Sequence, residues 1–82
     1  MHKVIITGRA EKDLNSLENP IRIRILKKMH DFSSNPFEYS EKISNKMLGS
    51  YRFRIGDYRA IADIEGDEII ILRVGHRKEI YR

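Results

Sequence analysis

The residues with the most chemical potential in this chain are arginines, and they gather towards its end. From Tyr51 to Arg82 there are seven basic residues, six of them arginine. A guanidinium is planar, permanently charged and donates two parallel hydrogen bonds, which fits it to phosphate oxygens better than a lysine ammonium. The three histidines, His2, His30 and His76, are scattered, and no carboxylates stand beside them at ligand spacing. No metal centre and no cofactor are therefore expected. The absence of cysteine excludes disulfides and thiolate chemistry. The chemistry on offer is the binding of an anion by fixed positive charge.

Size and composition frame that reading. The chain has 82 residues, enough for a single domain spanning residues 1–82 with a thin core. Sixteen Lys and Arg stand against twelve Asp and Glu, a net charge of +4 and a pI near 9.6. That balance suits a nucleic acid or an acidic protein as partner. No apolar run approaches the roughly 18 residues that cross a bilayer, and the apolar stretch after Met1 is too short for a signal peptide. No membrane partner is expected, and the cytoplasm is the expected location.

The elements that position the arginines can be read from periodicity. Residues 3–7 read as a first strand, with Thr7 as a cap for the helix that follows. Ala10, Leu14 and Leu17 recur at helical spacing and predict a short amphipathic helix over 9–17. Asn19-Pro20 predicts an N-cap followed by proline at the first helical position. Ile21, Ile25, Met29 and Phe32, with Leu26 beside them, carry a second helix to about Ser33. Residues 33–45 read as a loop. Residues 51–55 alternate, Gly56-Asp57 is a hairpin turn, and residues 58–64 alternate again. Residues 68–74 are a nearly continuous apolar strand. The expected fold class is α+β: a strand, two helices, then a three-stranded antiparallel meander, with the helices packed on one sheet face.

Strand parity then sorts the side chains. A two-residue turn at Gly56-Asp57 sets Arg54 opposite Arg59 and Phe53 opposite Ala60, and opposed residues share a face. Tyr51, Phe53, Ile55, Tyr58, Ala60, Ala62 and Ile64 form an apolar face for the helices. Arg52, Arg54 and Arg59 lie on the other, with Asp63 as acidic neighbour. The second turn is taken as the three residues Glu65-Gly66-Asp67, because that register buries Ile70, Leu72 and Val74 and exposes Arg73. Burying an unpaired arginine would cost several kcal/mol. Arg77 falls on the basic face by the same parity, unless Gly75 bulges the strand. His76 falls on the helix side, as a structural residue.

These residues carry a resemblance. The run Leu48-Gly49-Ser50-Tyr51-Arg52-Phe53-Arg54-Ile55-Gly56-Asp57-Tyr58-Arg59 resembles a stretch typical of RelE toxins, in which a basic strand leads through a turn to Tyr-Arg. The tail Val74-Gly75-His76-Arg77-Lys78-Glu79-Ile80-Tyr81 resembles that family's closing motif, and the order of elements agrees over the whole chain. The resemblance implies the toxin of a type II toxin–antitoxin system, an endoribonuclease of the mRNA interferase kind. Such a toxin enters the ribosomal A site and cleaves the bound message by 2′-hydroxyl attack, without metal, and so inhibits translation under stress. It implies Arg52, Arg54, Arg59, Arg77 and Tyr81 as catalytic residues. Arg59 and Arg77 would hold the scissile phosphate, and Tyr81 would stack on a base or accept a proton. Lys46, Arg73 and Lys78 are expected RNA contacts. Many relatives have lysines where this chain has Arg52 and Arg54, and arginine is a poor proton carrier near neutrality. Expected partners are a RelB-like antitoxin, in a toxin–antitoxin heterotetramer, and the ribosome with its message. The rival readings are a ParE-like inhibitor of DNA gyrase and a non-catalytic RNA-binding module.

Overall fold

The computed structural model describes residues 1–44 and 48–81. Its elements are β1 (Lys3–Ile6), α1 (Gly8–Asn15), α2 (Asn19–Phe32), the single turn α3 (Pro36–Tyr39), β2 (Ser40–Lys42), β3 (Tyr51–Ile55), β4 (Tyr58–Glu65) and β5 (Glu68–His76). The strands form one sheet in the order β1-β5-β4-β3-β2. β1 runs parallel to β5, and the other neighbours are antiparallel.

Local chemistry starts the helices. Thr7 caps α1, its hydroxyl accepting from the Ala10 N–H at 3.3 Å. The same hydroxyl donates to the Ile71 carbonyl at 2.8 Å, fastening the start of α1 to the central strand β5. α2 begins one residue earlier than the Asn-Pro signal suggests. Glu18 occupies the cap position without a side-chain bond, and Asn19 instead accepts from Arg22. Proline still sits in the first turn, where its missing N–H costs nothing.

The core lies between the two long helices and one face of the sheet. Ala10 and Leu14 of α1 and Ile25 and Met29 of α2 meet Phe53, Ile55, Ala60, Ala62, Ile69, Ile71 and Val74. Ala60 and Ala62 are fully buried, and their small side chains leave the sheet flat enough for close helix approach. Phe32 of α2 stacks on Phe53, with ring centroids 5.7 Å apart.

Four expectations need correction. Part of the stretch read as a loop is structured: it contains α3 and then β2, which pairs with β3 and lengthens the meander. The Gly66-Asp67 turn has two residues, since Glu65 pairs with Glu68. Glycine is suited to its first position, where φ is +57°. The parity conflict that favoured a longer turn is resolved by a β-bulge: Ala62 pairs with Ile71 and Ile61 with Arg73, leaving Leu72 as the extra residue. Ile69 and Ile71 are therefore in the core before the bulge and Val74 after it, while Ile70 and Leu72 are only partly buried. Arg73 does not join the other arginines. Its Nε donates to Asp13 Oδ2 of α1 at 2.8 Å.

Asp13 also accepts the Val74 N–H at 3.0 Å, so one carboxylate satisfies both the arginine and a backbone donor beside the bulge. Asp13→Ala leaves that donor unpaired and should destabilise the fold by about 1–3 kcal/mol. The expected result is a lower urea midpoint at unchanged m-value. Arg73→Ala should cost less, because Asp13 remains on Val74.

Candidate functional site

The β3–β4 hairpin builds the site. Gly56 opens the turn at φ +59°, and the Arg24 guanidinium of α2 lies against it, with Nη2 only 2.7 Å from where a Cβ would stand. The resulting register sets Arg54 opposite Arg59 and Arg52 opposite Ile61. Arg59 is only 9% exposed, and its Nη1 donates to the Gly56 and Tyr58 carbonyls at 2.8 Å each. Those two bonds hold the guanidinium at the turn. Among the described residues no carboxylate pairs with it, whereas Arg52, Arg54 and Arg77 each have one.

Burial is the main cause lowering the Arg59 pKa, and the charge of Arg54 acts next in the same direction. Tyr81 opposes this, while Arg52 and Arg77 lower it further. An arginine remains charged regardless. Arg59 is thus a fixed and poorly hydrated cation among like charges, an arrangement that an anion would complete.

The neighbours are compensated. Arg52 donates through Nη1 to the Tyr81 hydroxyl at 3.0 Å and through Nη2 to Glu41 Oε2 at 3.1 Å. Its pKa is raised, first by the bond to Tyr81, against desolvation, and then by Glu41. Arg54 Nη2 lies 3.6 Å from the other oxygen of Glu41. The Arg52 Cζ is 5.9 Å from the Tyr81 ring centroid, so the ring and guanidinium share one corner of the site. Arg77 anchors its N–H on the Asp57 carbonyl at 2.8 Å, and its Nε is 3.7 Å from Asp57 Oδ1.

The structure thus gathers Arg52, Arg54, Arg59, Arg77 and Tyr81 around the hairpin. Lys78 is exposed on the same terminal turn, Arg73 is engaged on α1, and Lys46 lies outside the described residues. Asp63, expected as the acidic neighbour, accepts the Ser50 N–H at 3.0 Å. His76 faces the helix side as expected, lining a cavity of about 350 Å³ with Asp13, Leu17 and Tyr58. Two residues of the site escaped sequence reasoning. Glu41 sits on a three-residue strand too short to show alternation, and Arg24 looks like an ordinary exposed helix residue.

Comparison with known proteins places this geometry. Residues 4–81 match the family model of the ParE toxin of the type II toxin–antitoxin system parDE. The chain belongs to the RelE/ParE toxin superfamily. Within that superfamily it is similar to Toxin RelG of Mycobacterium tuberculosis, 30% identical over 99% of this chain and 97% of that protein. It is also similar to Toxin RelE3 of Methanocaldococcus jannaschii, 34% identical over 96% of this chain and 94% of that one. Its fold superposes on a chain in the crystal structure of the toxin–antitoxin complex RelBE2 from M. tuberculosis with a TM-score of 0.85, at 28% identity over 93% of this chain and 98% of that chain. The protein is a RelE-family toxin of the type II toxin–antitoxin class, with the α+β fold of that family.

Glu41 is the carboxylate facing two of the site's arginines, so its removal should free them for phosphate. An exposed ion pair is worth up to about 1 kcal/mol, which corresponds to roughly fivefold in affinity. Glu41→Gln should tighten binding of a short single-stranded RNA by up to that factor and steepen its salt dependence, measured by fluorescence anisotropy across a salt series.

Proposed function

We propose that this toxin is a ribosome-dependent endoribonuclease that cleaves messenger RNA in the A site. The observation that carries the reading is Arg59: a nearly buried guanidinium, fixed by two carbonyls, without a carboxylate partner among the described residues, and ringed by Arg52, Arg54, Arg77 and Tyr81. In the proposed reaction the ribose 2′-oxygen forms a bond to the adjacent phosphorus and the bond to the 5′-oxygen breaks. The products are a 2′,3′-cyclic phosphate and a free 5′-hydroxyl. The 2′-hydroxyl proton passes to solvent water as the nucleophile attacks, and the departing 5′-oxygen takes one back from water.

Negative charge grows on the phosphorane oxygens during this step. Guanidiniums already held in place stabilise that charge without reorganising, which is the largest contribution a protein can make to such a displacement. Arg59 is assigned to the scissile phosphate, with Arg77 beside it. Arg52 holds the Tyr81 hydroxyl, which leaves the exposed Tyr81 ring at the rim, where a splayed base can stack. Arg54 and Lys78 add attraction for the RNA backbone. No metal enters the scheme.

The proposed antitoxin partner is RelB-like, acidic and partly disordered before binding. The solved relatives from M. tuberculosis and M. jannaschii are toxin–antitoxin complexes, and the +4 charge of this chain complements such a partner. Cleavage in the A site would place its action in the cytoplasm. A second reading, inhibition of DNA gyrase, draws on the ParE name of the matching family. The arginine and tyrosine cluster favours the nuclease, because a protein-binding inhibitor has no need of a fixed unpaired cation.

Primer extension on programmed ribosomes tests the assignment. Wild-type protein should cut at the A-site codon and leave free RNA intact. Arg59→Ala should lower the rate by about 10²- to 10³-fold, the usual loss for one transition-state donor. Tyr81→Phe keeps the stacking ring but loses the hydroxyl that Arg52 holds, so it should slow cleavage less than Tyr81→Ala, with little effect on ribosome binding. An intact message with folded wild-type protein would move the reading to gyrase.

A further inference from the structure

Tyr81 and Arg77 reach the site only because the chain turns sharply after β5. Four successive backbone donors in that turn are satisfied. The Arg77 N–H goes to the Asp57 carbonyl, and the Glu79 and Ile80 N–H groups both go to the His76 carbonyl at 2.9 Å. The Lys78 N–H donates to the His76 ring, at 3.1 Å from Nδ1. Ile80 is 3% exposed, and a Cβ on Gly75 would lie 3.2 Å from its Cδ1, so glycine lets the turn close down on β5.

His76 therefore occupies the position of a helix N-cap. Its carbonyl starts the turn, and its side chain accepts from the donor two residues on, a task that normally falls to Ser, Thr, Asp or Asn. A histidine can do this only with the Nδ1 lone pair free, which places the neutral ring's proton on Nε2. The ring is held edge-on to Tyr58, with centroids 5.4 Å apart and planes at 80°. The imidazole lines the cavity beside α1 with Asp13 and Arg73, a cavity to which Arg52, Arg54, Arg59 and Arg77 do not contribute, so it does not act on the reacting atoms.

We propose that His76 is a positioning residue: as the cap of the terminal turn, it sets Tyr81 against Arg52 and Arg77 against Asp57. This rests on the nuclease reading for its kinetic consequence but not for its structural one. Misplacing a catalytic group by about 1 Å costs roughly 10²-fold, so loss of the cap should lower kcat by about 10- to 100-fold with KM little changed.

Two substitutions separate capping from packing. His76→Asn keeps an acceptor for the Lys78 N–H but loses the ring, and His76→Phe keeps a ring on Tyr58 but cannot accept. Cleavage on programmed ribosomes should survive in His76→Asn and fall in His76→Phe. In the isolated proteins, nuclear Overhauser contacts between the Tyr81 ring and the Arg52 side chain should persist in the first and disappear in the second. This readout stands even if the wild type cleaves nothing, so failure of the nuclease reading and failure of the cap are distinguishable. Where His76→Phe does not fold, Lys78→Pro makes the same test from the donor side, with Lys78→Ala as its control. The Tyr81–Arg52 contact should vanish with proline and remain with alanine. Retention of the contact in His76→Phe or in Lys78→Pro, or its loss in His76→Asn, would overturn the proposal.

Discussion

The geometry of this protein turns on two residues, Gly56 and Asp57, at the β3–β4 hairpin. Their turn fixes a register in which Phe53 and Ala60 face the helices while Arg54 and Arg59 stand opposite one another on the strands. A one-residue slip would exchange the two faces, placing charge in the core and aromatic surface in water. The turn's own carbonyls then do further service. Gly56 accepts from the Arg59 guanidinium, and Asp57 accepts from the Arg77 backbone while its carboxylate approaches the Arg77 side chain. Fold and site share one constraint.

Charge compensation is uneven among the arginines of the hairpin and its neighbours. Asp13 engages Arg73, Asp57 engages Arg77, and Glu41 spans Arg52 and Arg54. Arg59, the most buried of these arginines, has only neutral carbonyl acceptors among the described residues. Solvent screens exposed pairs and makes them cheap to exchange for a ligand. A guanidinium shielded from water gains more from an arriving anion than one that is well hydrated. Among the described residues, Arg59 is thus the place where an added negative charge would gain most.

β5 links the arginine cluster to the core. It lies between β1 and β4, receives the cap of α1 through Ile71, and bulges so that Ile69, Ile71 and Val74 all face inward. Beyond His76 the same strand becomes the turn that presents Arg77 and Tyr81. A small domain with a thin core benefits from this economy, since each anchoring contact orders both a structural segment and a functional one.

Much of this was legible in the residues. The helical spacing of Ala10 and Leu14 and of Ile25 and Met29, and the alternation around Gly56-Asp57, gave the α+β architecture, the first hairpin register and the face carrying Arg52, Arg54 and Arg59. Those signals are local: each depends on residues within a few positions of one another. What the sequence did not reveal depends on distant partners. The three residues of β2 are too few to alternate visibly, so Glu41 became a site residue only when β2 paired with β3. The bulge at Leu72 was chosen by packing, because it alone lets a two-residue turn bury Ile69, Ile71 and Val74 together, and it delivered Arg73 to Asp13, sixty residues away. Local periodicity determined the elements and the faces of the first hairpin. Long-range pairing, which balances core burial against the cost of an unpaired charge, decided which of the described arginines gained a carboxylate partner.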